Sequence, residues 1–162
     1  MTTTPLAVPT ETLWLFDSLA QVRVSREEGD GNLSVVELTA PRGSMPPLHV
    51  HDEDETLYIL EGALTLFAGE RVTRLAAGDS ALAPRGVPHT YVVEAEATRM
   101  LVVGEGGFER FLRAAGRPAA QPTLPPADGP PSAEDLADAA VAAAEHGIRF
   151  VGPPGMLPSD LA

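Results

Sequence analysis

Histidine and acidic residues are concentrated in the stretch GSMPPLHVHDEDETLYILEG, which runs from Gly43 to Gly62. His49 and His51 are separated by one residue, so on an extended strand both imidazoles project to the same face. Two imidazoles on one face can reach a single metal ion. Taken alone, a His-x-His pair is common by accident, and a purely structural role is then the better interpretation.

Four acids follow the histidine pair, and their spacing separates one of them from the rest. Asp52, Glu53 and Asp54 are expected to form a solvated turn. Glu55 begins the returning strand, where it shares an inward face with Leu57 and Ile59. A carboxylate at that position would point back toward the two imidazoles.

A second segment, GDSALAPRGVPH, runs from Gly78 to His89. Its Pro84–Pro88 turn forces a sharp reversal that can deliver His89 to the same interior from another strand. The remaining histidine, His146, lies near the expected end of a helix, where a cationic side chain is favourable without any function.

The composition excludes several kinds of chemistry. The 162 residues contain no cysteine and no lysine, which excludes thiolate nucleophiles, thiolate metal sites, disulfides and Schiff bases. The formal net charge of −12, without a stripe of arginines, argues against a nucleic-acid partner. The N-terminal stretch MTTTPLAVPTETLWLF lacks a cationic region followed by an apolar one, and no apolar run is long enough for a bilayer. We therefore expect a cytoplasmic protein without a membrane partner.

Short apolar or alternating runs, separated by Gly, Pro and Asx turns, predict an all-β fold from Leu13 to Val103. Ten strands in about ninety residues indicate a sandwich or barrel. The predicted strands are Leu13–Phe16, Gln21–Val24, Leu33–Thr39, Leu48–His51, Leu57–Glu61, Ala63–Phe67, Arg71–Leu75, Ser80–Ala83, Thr90–Val93 and Arg99–Val103.

The pattern changes after Gly104, so we divide the chain into a barrel over residues 1–104 and a C-terminal extension over residues 105–162 that packs on it. A short helix is predicted over Phe108–Ala115. The stretch GRPAAQPTLPPADGPP has six prolines in sixteen residues and predicts an extended surface strap. An alanine-rich helix then begins at the Ser132 cap and ends before Gly147.

The two histidine segments resemble the motifs of the cupin superfamily. The first motif is matched at every position, by Gly43, His49, His51, Glu55 and Gly62. The second is matched by Gly78, Pro84, Gly86 and His89. Val93 stands where that motif has an asparagine, a departure that affects a structural contact and no ligand. Within the superfamily the chain is similar to small single-domain bacterial proteins of the quercetin 2,3-dioxygenase group, also through GEGGFERFLRAAGRPA and GIRFVGPPG.

This resemblance implies a jelly-roll barrel with a short C-terminal helical extension, and a bound divalent metal ion. Carried over by position, the ligands are His49, His51, Glu55 and His89. Three imidazoles and one carboxylate suit Fe, Mn, Ni, Co, Cu or Zn, and ligand type does not choose among these metals.

The resemblance also implies an enzyme, and a homodimer as the assembly. Glu55 is the candidate general base, and the expected reaction is a metal-dependent dioxygenase cleavage of a flavonol-like aromatic or polyphenolic substrate. The alternative is a non-redox cyclase, isomerase or dehydratase that acts on a polyketide-like molecule without dioxygen. Strand parity suggests an apolar pocket for the substrate, which Trp14, Phe108 and Phe111 could close. Its candidate substrate-binding residues are Met45, Leu57, Ile59, Tyr91, Met100 and Val102.

Overall fold

The computed structural model describes residues 11–161. The first ten residues and Ala162 lie outside the described part, and with them most of the N-terminal stretch used above and the start of the 1–104 unit. The described chain folds into two antiparallel β-sheets that face each other, and two α-helices pack on each other and on strands of both sheets. This arrangement confirms the predicted all-β jelly roll.

The larger sheet has seven strands in the order β11-β1-β2-β3-β10-β5-β8. Their bounds are β1 Thr12–Leu15, β2 Ser18–Val24, β3 Ser34–Pro41, β5 Glu55–Glu61, β8 Ser80–Ala83, β10 Ala97–Gly104 and β11 Arg117–Pro118. The central strands β3, β10 and β5 pair over most of their length and bury their inward side chains.

The smaller sheet has five strands in the order β12-β4-β9-β6-β7. Their bounds are β4 Leu48–His51, β6 Ala63–Ala68, β7 Arg71–Ala76, β9 His89–Val93 and β12 Ile148–Gly152. All ten strands predicted from the sequence are present, β4 and β8 with the predicted bounds and the other eight with shifted ends. Two further strands, β11 and β12, were not predicted, and both belong to the C-terminal extension.

The C-terminal extension contributes one strand to each sheet, β11 to the larger and β12 to the smaller. Helix α1 spans Gly107–Ala115, and α2 spans Ala133–Ala144 with the predicted Ser132 cap. The proline-rich strap is held where the Trp14 indole N–H donates to the Thr123 carbonyl at 2.7 Å. The chain then returns as β12, which pairs antiparallel with β4, the strand of the histidine pair. The extension therefore helps to fix that strand.

Two motif glycines occupy backbone conformations that other residues adopt only under strain. Gly62 has φ +84°, and a Cβ placed there would lie 2.5 Å from the Ala97 carbonyl oxygen. Gly86 has φ +75° in the Pro84–Pro88 turn, and its N–H donates to the His51 carbonyl at 2.9 Å. This second contact ties the second motif to the strand of the first. No helix in the described residues is long and apolar enough to cross a membrane.

Candidate metal centre

Two neighbouring strands of the smaller sheet supply three histidines. His49 of β4 lies directly opposite His89, the first residue of β9, and their ring centroids are 4.3 Å apart. His51 projects to the same face as His49, with centroids 4.9 Å apart, and lies 4.8 Å from His89. The period-two geometry of a strand thus brings the His-x-His pair to one place, and strand pairing adds the third ring.

Glu55 approaches the three rings from the facing sheet, because it is the first residue of β5. Its Oε2 lies 3.3 Å from His51 Nδ1, and its Oε1 lies 3.9 Å from His89 Nε2. One ligand atom from each of the four residues lies within 4.8 Å of the other three. His51, Glu55 and His89 are almost fully buried, while His49 keeps some exposure.

Hydrogen bonds fix the orientation of two of the rings. His49 Nδ1 lies 2.6 Å from the Pro47 carbonyl oxygen, and His89 Nδ1 lies 2.9 Å from that of Val87. If Nδ1–H donates to each carbonyl, Nε2 is the unprotonated nitrogen. In metal sites the ring nitrogen that does not bind the metal often donates to a backbone carbonyl in this way. Within residues 11–161, His51 Nδ1 and His89 Nε2 are buried without a hydrogen-bond partner. A bound cation would satisfy these atoms, so the four residues fit a metal.

Burial sets the protonation of the cluster. It lowers the pKa of His49, with further lowering by the charges of His89 and His51, and it lowers the pKa of His51 to about 4. It also lowers the pKa of His89. Burial raises the pKa of Glu55 to about 7, partly opposed by His89. The imidazoles are therefore neutral near pH 7, which is the form that binds a metal.

Two of the other three acids of the turn have structural partners for their carboxylates. Asp52 and Asp54 are exposed, as a solvated turn requires, but the Asp54 carboxylate accepts the Arg85 N–H at 2.9 Å. Glu53 is partly buried and accepts the N–H of Gly107, the first residue of α1, also at 2.9 Å. The turn thus joins the motif strand to α1 and to the Pro84–Pro88 turn.

A cavity of about 580 Å³ opens from the four clustered residues. Met45, Leu57, Tyr91 and Val102 line it, as do Phe108 and Phe111. Ile59 and Met100, which were grouped with them from the sequence, are not among its lining residues: they lie opposite each other on β5 and β10 and are fully buried in the core. Trp14 does not line the cavity either.

Several lining residues were not predicted from the sequence, and about half of them lie in the C-terminal extension. Phe150 and Ile148 come from β12, and the strap adds Gly129, Pro130 and Pro131. The β1–β2 turn adds Phe16 and Asp17. Only the tail motif GIRFVGPPG pointed toward this region, and it did not show which side of the barrel the tail covers.

The comparisons with known proteins agree with this geometry. Residues 35–104 match the family described as Cupin domain, and this range holds all four clustered residues. Residues 35–104 form a cupin domain. Val93, at the departure from the second motif, is buried in this cupin domain, and its backbone bonds to Gly43 and Ser44.

One curated relative of the chain is quercetin 2,3-dioxygenase from Bacillus subtilis (strain 168), 32% identical over 104 residues. The match covers 63% of the chain but spans only about a third (31%) of the relative. A solved RmlC-like cupin from Shewanella frigidimarina has a TM-score of 0.54 at 19% identity, covering 64% of this chain and 90% of that one. A polyketide cyclase from Streptomyces resistomycificus has a TM-score of 0.53 at 20% identity, covering 64% and 79%. The two structures show the shared fold.

Proposed function

We propose that this cupin is a metal-dependent dioxygenase that cleaves the ring of a flavonol-like aromatic or polyphenolic substrate. The observation that carries the proposal is the convergence of three neutral imidazoles and one carboxylate on the wall of a cavity lined mainly by apolar side chains. The 32% sequence identity with quercetin 2,3-dioxygenase over 104 residues supports the type of reaction.

His49, His51, His89 and Glu55 would hold the metal. When bound, a divalent transition metal supplies Lewis-acid activation of a substrate oxygen and a centre at which dioxygen can react. The Nδ1 atoms of His49 and His89 are hydrogen-bonded to the Pro47 and Val87 carbonyls. These rings therefore cannot turn away from the cavity without losing a hydrogen bond.

Glu55 is the residue we assign to proton transfer. Its carboxyl group lines the cavity, and without an ion burial raises its pKa to about 7. A bound cation would lower this pKa, and a carboxylate that loosens from the ion can accept a proton and return it. In this proposal a Glu55 carboxylate oxygen accepts the proton of the substrate hydroxyl and later delivers it to the product.

The apolar walls exclude water and hold a flat substrate. Leu57 and Val102 come from the larger sheet, and Phe111 and Phe150 meet edge to face with ring centroids 6.0 Å apart. Aromatic and aliphatic walls of this kind suit a planar aromatic ring system. The cavity volume of about 580 Å³ lies in the range of small-molecule sites.

Oxygen uptake tests the proposal. The protein is prepared free of metal and reconstituted separately with Fe²⁺, Mn²⁺, Ni²⁺, Co²⁺, Cu²⁺ and Zn²⁺, with quercetin as the first substrate. We expect uptake with at least one redox-active ion, matched by loss of quercetin, and its loss in Glu55→Gln. Glu53→Gln is the matched control, since Glu53 is in the same turn but bonds to α1.

The same assay separates the alternative reaction class. A non-redox cyclase, isomerase or dehydratase would convert its substrate under nitrogen and would work with Zn²⁺ alone. If the protein binds metal tightly but no ion supports oxygen uptake with quercetin or related flavonols, the dioxygenase proposal is wrong.

A further inference from the structure

The cavity contains a second polar centre apart from the metal ligands. Asp17, in the turn between β1 and β2, lines the cavity together with Ser18 and Ser44. The hydroxyls of both serines donate to Asp17 Oδ1, each at 2.9 Å. Both serines are buried, and Ser44 comes from a different segment, so the carboxylate is held in one orientation from two sides. Its other oxygen, Oδ2, has no hydrogen-bond partner in the described part of the chain.

Backbone strain accompanies this placement. The turn has two residues between the paired Leu15 and Ser18, and the first of them, Phe16, has φ +52°. Phe16 is the one non-glycine residue with positive φ in residues 11–161. A bulky residue in the left-handed region costs about 1–3 kcal/mol, and such strain persists where the surroundings demand it. Here the strained turn places the Phe16 ring and the Asp17 carboxylate together at the cavity.

The charge of Asp17 is not neutralised within the cavity. No arginine is among the described residues that line it, and the whole chain has no lysine. The ion pairs found in residues 11–161 do not include Asp17. Asp17 is exposed to solvent and lines the cavity, so its oriented carboxylate with one free oxygen is available as a hydrogen-bond acceptor for a ligand.

We propose that Asp17 is a specificity-determining residue whose carboxylate accepts a hydrogen bond from a substrate hydroxyl distinct from the one at the metal centre. The site then selects aromatic molecules with two separated polar ends, one at the histidine and glutamate cluster and one at Asp17. The inference rests on the proposed function for the aromatic class of the substrate. It adds a requirement for a second hydroxyl.

Two flavonols that share the same metal-binding end test this requirement. Quercetin carries additional ring hydroxyls, whereas 3-hydroxyflavone has only the hydroxyl next to the keto group. Both are titrated under nitrogen into Zn²⁺-loaded wild type, Asp17→Ala, Asp17→Asn and Glu70→Ala, so that binding is measured without turnover. Glu70 is the matched control because it is an exposed acid in another two-residue hairpin turn, between β6 and β7, and does not line the cavity.

We expect Asp17→Ala to weaken quercetin binding by about 10-fold, the usual effect of losing a hydrogen bond to a charged group. Binding of 3-hydroxyflavone should change by less than about twofold, as should both affinities in Glu70→Ala. Asp17→Asn keeps an acceptor oxygen and should retain part of the preference. Equal weakening of both flavonols by Asp17→Ala, or an unchanged preference, would overturn the assignment.

Oxygen uptake separates this inference from the proposed function. If Asp17→Ala removes the preference for quercetin over 3-hydroxyflavone but no ion supports oxygen uptake, the result supports the role of Asp17 and contradicts the dioxygenase proposal. Uptake with quercetin, together with a preference that Asp17→Ala does not change, would support the dioxygenase and reject the role of Asp17. If neither flavonol binds, both proposals are wrong.

Discussion

Phe150 of β12 lies directly opposite His49 of β4 in the register of the smaller sheet. On the other side of β4, His49 faces His89. The strand that carries the histidine pair is thus held between β9 of the barrel and a strand that comes from about one hundred residues later in the chain. Phe150 also meets Phe111 of α1 edge to face. The C-terminal extension therefore supports the candidate metal centre directly.

Replacing Phe150 should weaken both the fold and the cavity wall. Phe→Ala at fully buried positions costs about 3–5 kcal/mol, and because Phe150 is half-buried we expect Phe150→Ala to lower the free energy of unfolding by about 2 kcal/mol. Arg149→Ala is the control on the same strand, because Arg149 is exposed and its loss should cost less than about 0.5 kcal/mol. Urea unfolding measures the loss of stability in both variants. Equal losses in Phe150→Ala and Arg149→Ala would show that the stability of β12 does not depend on its Phe150 contacts.

The sequence predicted the parts of the site that depend on local pattern. The strands that carry His49, His51, Glu55 and His89 have clear alternation and are bounded by glycine and proline turns, and the motif spacing placed the four residues together. The alternation along each strand also predicted which side chains point inward, but it does not show which of them reach the cavity and which are buried in the core. Ile59 and Met100 point inward as expected, yet they pack against each other in the core and not at the cavity.

The missed elements are those whose structure depends on distant partners. A run as short as IRFVG is compatible with a strand or with a loop, and its assignment follows from β4, far away in the sequence. Likewise, no periodicity in the proline-rich strap indicates that Pro130 and Pro131 reach the cavity. The role of Asp17 depends on Ser44, a contact that no local pattern contains.

The buried carboxylate of Glu109 should make stability depend on pH. Burial alone would raise its pKa, but hydrogen bonds from the Ser25 hydroxyl, the Arg26 N–H and Ser34, with the charge of Arg113, outweigh burial and hold the pKa below its ordinary value of 4.5. The folded state therefore prefers the carboxylate. Its stabilisation is complete above the unfolded pKa and is lost as the pH falls through the lower folded pKa.

Glu109→Gln tests this linkage. We expect the variant to be less stable by about 2 kcal/mol at pH 7, because it leaves buried donors and Arg113 without their charged partner. Its free energy of unfolding should also fall less steeply below pH 4.5 than that of wild type. Urea unfolding from pH 3 to pH 7, with the exposed Glu70→Gln as control, measures both effects. Parallel pH profiles for wild type and Glu109→Gln would contradict the assignment.

Two motif glycines with similar backbone angles should respond differently to alanine. Gly78 has φ +91° and open space around a Cβ, so Gly78→Ala should cost only the strain of about 1–2 kcal/mol. At Gly62 a Cβ would also lie 2.5 Å from the Ala97 carbonyl oxygen and 2.9 Å from Thr98 Cα, both backbone atoms. Gly62→Ala should therefore cost a further 1–3 kcal/mol or so. Thermal and urea unfolding of the two variants give the comparison, and equal losses would mean that the β10 backbone moves aside freely.

Metal binding should stabilise the fold only through the complete ligand set. At a metal concentration of 100 times its Kd, a site present only in the folded state adds about 2.7 kcal/mol to the free energy of unfolding. Loss of a group that hydrogen-bonds to a metal ligand already weakens metal binding by about 10–100-fold. Because His89→Ala removes a ligand itself, we expect it to weaken metal binding by more than about 100-fold. The gain at the same concentration should then fall below about 0.5 kcal/mol.

His146→Ala is the matched control, because His146 follows α2 and is not part of the cluster. Its gain in stability on adding Ni²⁺ or Zn²⁺ should equal that of wild type in urea unfolding with and without a chelator. This comparison separates a ligand from a histidine that only packs in the core, since a packing role changes the stability of the chelated protein but leaves the metal-dependent gain intact. An unchanged gain in His89→Ala would show that the ion binds elsewhere.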